Sequence, residues 1–193
     1  MTGTTRDAAR IVAFTALIAG CALLPGIQLP GVPVPITLQT FAIMLAATCL
    51  GPRRGPLAVL LYLALGLAGL PILSGGAHGL QTLSKPSVGY LLSWPLAAAL
   101  TGALVLRVPR QRWTREVPLI FLCAMAGSLL FIHPLGIAGL AWRLELPAAQ
   151  AISMGASFVP GDLLKNSAVA LIATAVHRAL PGLLPRPGAP QPA

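Results

Sequence analysis

The chain has 193 residues, of which 56% are hydrophobic and only 9% are charged, and its formal net charge is +9. Soluble domains have about 25% charged residues and disordered chains have low hydrophobicity, so this composition excludes both classes and predicts an integral membrane protein. Because a membrane helix needs roughly 20 apolar residues, the length allows about six spans in one domain.

Six apolar stretches predict an all-α membrane protein with a single domain over residues 1–180. The predicted spans are residues 9–24, 36–50, 56–73, 88–106, 117–140 and 162–175. The segments between them are rich in Pro and Gly, in basic residues or in both, and such segments interrupt helices. Residues 181–193 contain five prolines and are predicted to form a disordered cytoplasmic tail.

Basic residues in short loops indicate which ends of the spans face the cytoplasm. Lys85 and Arg143 fall on one predicted side, and Lys165 lies just inside the last span. The other ten of the 13 lysines and arginines fall on the opposite side: Arg6, Arg10, Arg53, Arg54, Arg107, Arg110, Arg112, Arg115, Arg178 and Arg186. With six spans, both termini are predicted to be cytoplasmic. The positive charge is therefore assigned to membrane topology, and no nucleic-acid partner is expected.

Small residues follow one face of the first predicted span. Ala9, Ala13, Ala16 and Gly20 are separated by 4, 3 and 4 residues, which places them on one side of a helix. We call this face the small-residue ridge. Inside lipid such a ridge lets another helix approach closely. The spacing alone leaves open whether that helix belongs to this chain or to another subunit.

Two polar segments lie on the predicted outer side. Residues 34–40 lead into the second span and include Gln39, whose amide suits either a ligand or a hydrogen bond to a neighbouring helix. Residues 74–90 form a Gly-rich loop, and glycine lets the backbone approach a small ligand closely. Tyr90, with Trp94 four residues later, is interpreted either as the aromatic wall of a pocket or as part of the interfacial aromatic belt.

Asp162 and Lys165 lie at the outer end of the last predicted span. Ionisable residues within a span are costly and usually functional. The preceding Pro160-Gly161 pair predicts a turn, after which the two side chains, three residues apart, share one helical face. As an alternative, Asp162 caps the helix and Lys165 only pairs with it. Because a lysine in the first turn opposes the helix dipole, ligand binding is the favoured interpretation, in a pocket open to the outside.

Motifs of the common enzyme classes are absent from the sequence. It has no Walker-type phosphate loop, no H-E-x-x-H zinc motif and no G-x-S-x-G nucleophile motif, and its three cysteines fit no metal spacing. Ser128 and His133 are five residues apart, a spacing that does not bring two side chains together on an α-helix. The chain is therefore predicted not to be an enzyme and to hold no metal or cofactor.

Several motifs resemble those of the BioY family, the biotin-binding S components of energy-coupling-factor (ECF) transporters. They are the Val-Pro-Ile-Thr-Leu-Gln-Thr segment at 34–40, Leu-Gly-Pro-Arg-Arg-Gly at 50–55, Leu70-Pro71, the Gly-rich loop that ends in Gly89-Tyr90, and Pro-Gly-Asp-Leu-Leu-Lys at 160–165. The resemblance covers residues 8–180. It implies six helices and an outward-facing biotin pocket, roofed by the loop between the third and fourth spans.

The resemblance also implies roles for individual residues. Asp162 and Lys165 match the pair that meets the ureido head group of biotin. A carboxylate accepts hydrogen bonds from the ureido N–H groups and an ammonium donates to the carbonyl, and such charge-assisted bonds are strong. Gln39 and Tyr90 match further pocket positions, and Gly89, next to Tyr90 in the loop motif, is included in the predicted pocket.

The outer loop departs from the family pattern, since glycine is the usual residue where this chain has His78, Lys85 and Val88. We expect Lys85 or His78 to help hold the carboxylate of biotin, because no other outer cation lies near the predicted pocket. The small-residue ridge matches the face with which such proteins meet their membrane coupling subunit.

With the composition and charge pattern, the resemblance implies a multi-pass protein of the bacterial inner membrane that captures biotin from outside. It would deliver biotin inward with a membrane coupling subunit (T component) and two ATP-binding subunits, and only these partners would use ATP. The alternative is a self-sufficient secondary carrier in which Asp162 titrates and couples uptake to protons. The absence of obvious inverted repeats disfavours that alternative.

Overall fold

A computed structural model describes residues 3–109 and 112–184. In these two ranges the chain is helical and contains no strand, only two isolated bridges. The helices are α1 (Gly3–Leu23), α2 (Gln39–Leu67), α3 (Val88–Val105), α4 (Trp113–Gly127), α5 (His133–Leu144), α6 (Ala148–Ala156) and α7 (Val159–Ala179). The predicted all-helical class is therefore confirmed.

The second and third predicted spans form one helical hairpin, α2. The only residue with non-helical dihedral angles inside it is Gly51, at φ 82° and ψ −171°. The chain reverses at Gly51, as two contacts across the hairpin show. Gln39 contacts Tyr62, 23 positions later, and a Cβ on Gly55 would lie 2.9 Å from the Cα of Ala47. The loop expected at residues 51–55 is thus a tight turn, and helix resumes immediately after it.

The first half of this hairpin is the central helix of the protein. Every residue from 42 to 50 is buried, and α1, α3 and α7 all pack against α2. The second half ends at Leu67, six residues before the predicted end at residue 73. The outer segment that follows, residues 68–87, contains two short 3₁₀ turns, Ser74–Gly76 and Leu80–Ser84. α3 then begins at Val88, as the sequence predicts.

The fifth predicted span, residues 117–140, is part of a longer continuous helix. α4 passes into α5 through a π-helical turn at Ser128–Ile132, and the whole helix covers Trp113–Leu144. The expectation that Ser128 and His133 do not face the same way is wrong. Both are buried, and the wider turn brings them to one side of the helix. They form no catalytic pair, since Ser128 Oγ accepts a hydrogen bond from Asn166 and the His133 ring lies beside Asp162.

Two features near the last span differ from the prediction. α6 is a short helix that the sequence analysis did not identify. α7 begins at Val159 and not at residue 162, with Pro160 in its first turn where proline is well tolerated. Asp162 consequently lies inside the first turn and is not the cap residue of the helix. Phe158 occupies the cap position, and its side chain makes no capping hydrogen bond.

Two helical stretches in the described ranges are long and apolar enough to cross a membrane: Val88–Val105 and Trp113–Leu144. Six crossings with both termini inside remain a prediction. Residues 181–184, the described part of the predicted disordered tail, are ordered: Leu183 and Leu184 are buried, and Leu184 contacts the Gly51 turn. Arg110, Arg186 and the rest of the predicted tail, residues 185–193, lie outside the described residues.

Candidate functional site

A cavity of about 460 Å³ lies at the end of the bundle where α2, α3, α5 and α7 begin. Volumes of about 300–1,000 Å³ are usual for small-molecule sites. Both apolar and polar side chains line the cavity, and the larger part of its surface is apolar. Five of the seven residues predicted for the pocket line this cavity, namely Gln39, Lys85, Tyr90, Asp162 and Lys165. The other two, Gly89 and His78, are not part of its lining.

The most polar part of the cavity is the carboxylate of Asp162. Its Oδ1 atom lies 2.6 Å from Lys165 Nζ and its Oδ2 atom lies 3.0 Å from His133 Nε2. Lys165 Nζ also donates a hydrogen bond to Thr40 Oγ1 at 2.6 Å. The Asp162 side chain is only 5% exposed and that of Lys165 only 11%. Pairing with Asp162, one of the two interpretations left open, therefore coexists with a place in the cavity wall.

Gln39 is held at the cavity wall by the other half of the α2 hairpin. Its Nε2 group donates to the hydroxyl of Tyr62, and that hydroxyl donates in turn to the backbone carbonyl of Ile72 at 3.1 Å. Gln39 is 2% exposed. The helix-to-helix hydrogen bond and the position in the pocket, which the sequence offered as alternatives, are both present.

An aromatic wall closes one side of the cavity. Tyr90 contacts Phe158 edge to face, with ring centroids 5.5 Å apart, and Trp94 lies 6.5 Å from the ring of Tyr62. Tyr90 and Trp94 are buried, so the pocket-wall interpretation holds for them and the interfacial-belt interpretation does not. Within the described ranges, Tyr90 Oη and Trp94 Nε1 have no hydrogen-bond partner. Buried polar atoms rarely stay unpaired, and a ligand would supply partners here.

Gly89 lies where α3 and α5 touch. A Cβ on Gly89 would lie 2.0 Å from the backbone oxygen of Leu135, and one on Gly139 would lie 2.7 Å from the backbone nitrogen of Gly89. His78 is exposed, and its Nδ1 atom is 3.2 Å from the carbonyl of Gly76. Of the two outer cations considered for a ligand carboxylate, only Lys85 reaches the cavity.

His133, Thr40 and Phe158 are among the cavity residues that the sequence did not single out. His133 carried a usable signal, since an ionisable side chain in the middle of an apolar span deserves attention. Thr40 belongs to the 34–40 segment, but a threonine at the start of a helix is too common to indicate a binding site. Phe158 gave no signal, because one aromatic residue among apolar neighbours is ordinary.

None of the residues of the small-residue ridge lines the cavity, and the ridge faces outwards. Ala9, Ala13, Ala16 and Gly20 are all exposed, and a Cβ on Gly20 would meet nothing within 4 Å. Within the described part of the chain, no helix covers this face. Of the two interpretations of the ridge, packing against another helix of this chain is therefore not observed in the described residues, and docking of another subunit stays a prediction.

A model of the BioY family matches residues 1–182 of this sequence. The chain belongs to the BioY family. Among curated relatives, the biotin transporter BioY of Rhizobium etli is 39% identical over 94% of this chain and 97% of its own length. That of Rhodobacter capsulatus is 38% identical, over 93% and 97% respectively. The probable biotin transporter BioY of Bacillus subtilis is 37% identical, over 90% and 91%.

A solved structure is similar over almost the whole BioY fold. The S component for biotin from an ECF-type ABC transporter superposes with a TM-score of 0.82 at 30% identity, covering 92% of this chain and 95% of that one. These relatives are named as transporters, and the prediction that this BioY protein is not an enzyme is confirmed by that membership.

Proposed function

We propose that this protein binds biotin in the cavity at the start of α2, α3, α5 and α7 and acts as the substrate-capturing subunit of a biotin uptake transporter. The observation that carries the proposal is the buried Asp162–Lys165 pair in the wall of the cavity. Membership of the BioY family and the names of its relatives supply the ligand.

The chemistry of the cavity wall suits the head group of biotin. A cyclic urea has two N–H donors and one carbonyl acceptor. The carboxylate of Asp162 accepts from one N–H group, and the ammonium of Lys165 donates to the adjacent carbonyl. The ring sulfur and the aliphatic chain then pack against the apolar and aromatic lining. Because the head group is neutral, it leaves the Asp162–Lys165 ion pair with its charge balanced.

The rest of the transport cycle is assigned to partners. We propose that the small-residue ridge docks a membrane coupling subunit (T component), which links this chain to ATP-binding subunits, and that this chain uses no cofactor of its own. Six crossings of the bacterial inner membrane, with cytoplasmic termini, accord with the distribution of arginines along the sequence. The cavity then opens to the outside.

Equilibrium binding of radiolabelled biotin to the purified protein in detergent tests the ligand and the site. We expect Asp162→Asn and Lys165→Met each to weaken binding by roughly tenfold or more, since hydrogen bonds to charged groups are worth about 1.5–3 kcal/mol. Ser167→Ala is the matched control. It changes a polar residue on the exposed face of the same helix, where its hydroxyl bonds only to the carbonyl of Leu163 among the described contacts.

Biotin binding that survives both pocket substitutions would move the site elsewhere in the protein. Failure of folded wild-type protein to bind biotin at all would refute the proposed ligand.

Lys85 is the residue we propose for the carboxylate of biotin. It lies at the cavity edge and is exposed, so its contribution is small, about 0.2–1 kcal/mol or up to roughly fivefold in affinity. We expect Lys85→Ala to weaken binding of biotin but not of biotin methyl ester, which lacks the negative charge. His78→Ala is the control on the same loop and should change neither. Equal losses for the acid and the ester would contradict a charge interaction.

The proton-coupled carrier predicts a different dependence on partners. If this chain works alone, uptake in a host without the coupling subunits should occur and should collapse when the proton gradient is dissipated. The proposed function predicts that uptake in that host is low and rises when the coupling subunits are supplied.

A further inference from the structure

Two polar contacts join α7 to the long helix formed by α4 and α5. Asp162 Oδ2 lies 3.0 Å from His133 Nε2, and one turn later Asn166 Nδ2 donates to Ser128 Oγ at 3.1 Å. Asp162 and Asn166 are four residues apart on an α-helix and therefore lie above one another on the same face. Their partners are five residues apart and must also share a face for both contacts to form.

The π-helical turn satisfies that requirement. The backbone N–H of His133 bonds to the carbonyl of Ser128, the i-to-i+5 bond that defines a π-helix. On a regular α-helix, five residues correspond to a rotation of about 140°, so His133 would point away from the face that carries Ser128. The widened turn brings His133 to the carboxylate of Asp162. π-Helical turns are rare and occur frequently at functional sites.

His133 is buried and has bonding capacity left over. It is 6% exposed. In the described ranges neither ring nitrogen makes a well-aligned hydrogen bond, although Nε2 lies 3.0 Å from Asp162 Oδ2. The cavity that His133 lines also holds the ionisable residues Asp162, Lys165, Tyr90 and Lys85. Of these, Asp162 contacts the imidazole. Lys165 already occupies Oδ1 of Asp162, so Oδ2 is the oxygen that the imidazole N–H can hold.

We infer that His133 is a positioning residue for Asp162, fixing its carboxylate so that it can accept one N–H group of a neutral cyclic urea while Lys165 donates to the adjacent carbonyl. This inference rests on the proposed function and extends it to a residue outside the Asp162–Lys165 pair. A carboxylate has about four lone-pair sites, two on each oxygen. Lys165 occupies one site on Oδ1. In this inference the N–H of His133, whose Nε2 lies 3.0 Å from Oδ2, occupies one site on that oxygen. One acceptor site on each oxygen is left, and either can take one N–H of the ligand. The two N–H groups of a cyclic urea point to opposite sides of its ring, so the second N–H meets a different acceptor.

Two substitutions of nearly equal size separate this role from simple packing. His133→Gln keeps an N–H donor at about the reach of Nε2, whereas His133→Met has similar length and no donor. Measured by equilibrium biotin binding in detergent, His133→Met should lose roughly tenfold or more in affinity and His133→Gln should recover most of that loss. Equal affinities for the Met and Gln variants would overturn the inference, while binding by the wild-type protein would still support biotin as the ligand.

A measurement without ligand tests the same contact independently. In the empty protein, His133→Gln should unfold at a higher temperature than His133→Met, because only glutamine can donate to the Asp162 carboxylate. In an Asp162→Asn background that difference should shrink or disappear. A Gln-to-Met difference of the same size in both backgrounds would show that His133 does not act through Asp162, whether or not biotin is the ligand.

Discussion

At the scale of single residues, the hydroxyl of Tyr62 connects the cavity wall to the outer segment. It accepts from Gln39, which lines the cavity, and donates to the carbonyl of Ile72 in the outer segment. We expect Tyr62→Phe to destabilise the protein by about 1–3 kcal/mol, since it leaves the buried amide of Gln39 without its partner. Thermal unfolding in detergent, followed by tryptophan fluorescence, measures the change.

The double variant Gln39→Met, Tyr62→Phe is the control for this prediction. Removing both partners of a buried hydrogen bond costs less than stranding one of them. The double variant should therefore be more stable than Tyr62→Phe alone. If the two substitutions simply add, the Gln39–Tyr62 bond contributes little and the predicted asymmetry is wrong.

At the scale of helices, the close approach of α3 and α5 sets one side of the cavity. Gly89 permits it, because any side chain there would meet the backbone of Leu135 within 2.0 Å. We expect Gly89→Ala to lower the unfolding temperature and the yield of folded protein, and to reduce biotin binding only as far as it reduces folding. Size-exclusion chromatography with binding expressed per folded molecule tests this expectation.

Gly20→Ala is the matched helical control, because a Cβ at Gly20 would meet nothing within 4 Å. It should fold as well as the wild-type protein. If folded Gly89→Ala protein binds biotin much more weakly per molecule, Gly89 belongs to the binding site, as the sequence analysis predicted, and not only to the helix contact.

The sequence predicted helices best where apolar runs are long and uninterrupted. The limits of α3 agree almost to the residue, since the run from residue 88 to 106 has clear boundaries. The π-helical turn at Ser128–Ile132 could not be predicted, because it depends on contacts with α7 and not on local composition. The site residues divide in the same way. Asp162 and Lys165 could be predicted because charged residues stand out in an apolar helix, whereas Thr40 and Phe158 become part of the cavity only through the fold.

At the scale of the whole molecule, the cavity and the small-residue ridge are separate surfaces. No ridge residue lines the cavity, and all four are exposed on α1, which packs mainly against α2. A large side chain on the ridge would therefore block close approach of a partner helix without disturbing the pocket. We expect Ala13→Leu to bind biotin like the wild-type protein but to lose roughly tenfold or more of its co-purifying coupling subunit, with a matching loss of uptake.

Ala8→Leu provides the comparison that isolates the ridge. It makes the same chemical change at an exposed position of the same helix, about 100° round the axis from Ala9. Loss of the coupling subunit in Ala13→Leu but not in Ala8→Leu would assign docking to the ridge. Normal assembly and uptake by Ala13→Leu would instead require the coupling subunit to bind another face. Loss of biotin binding by the solitary Ala13→Leu protein would show that ridge and cavity are not independent.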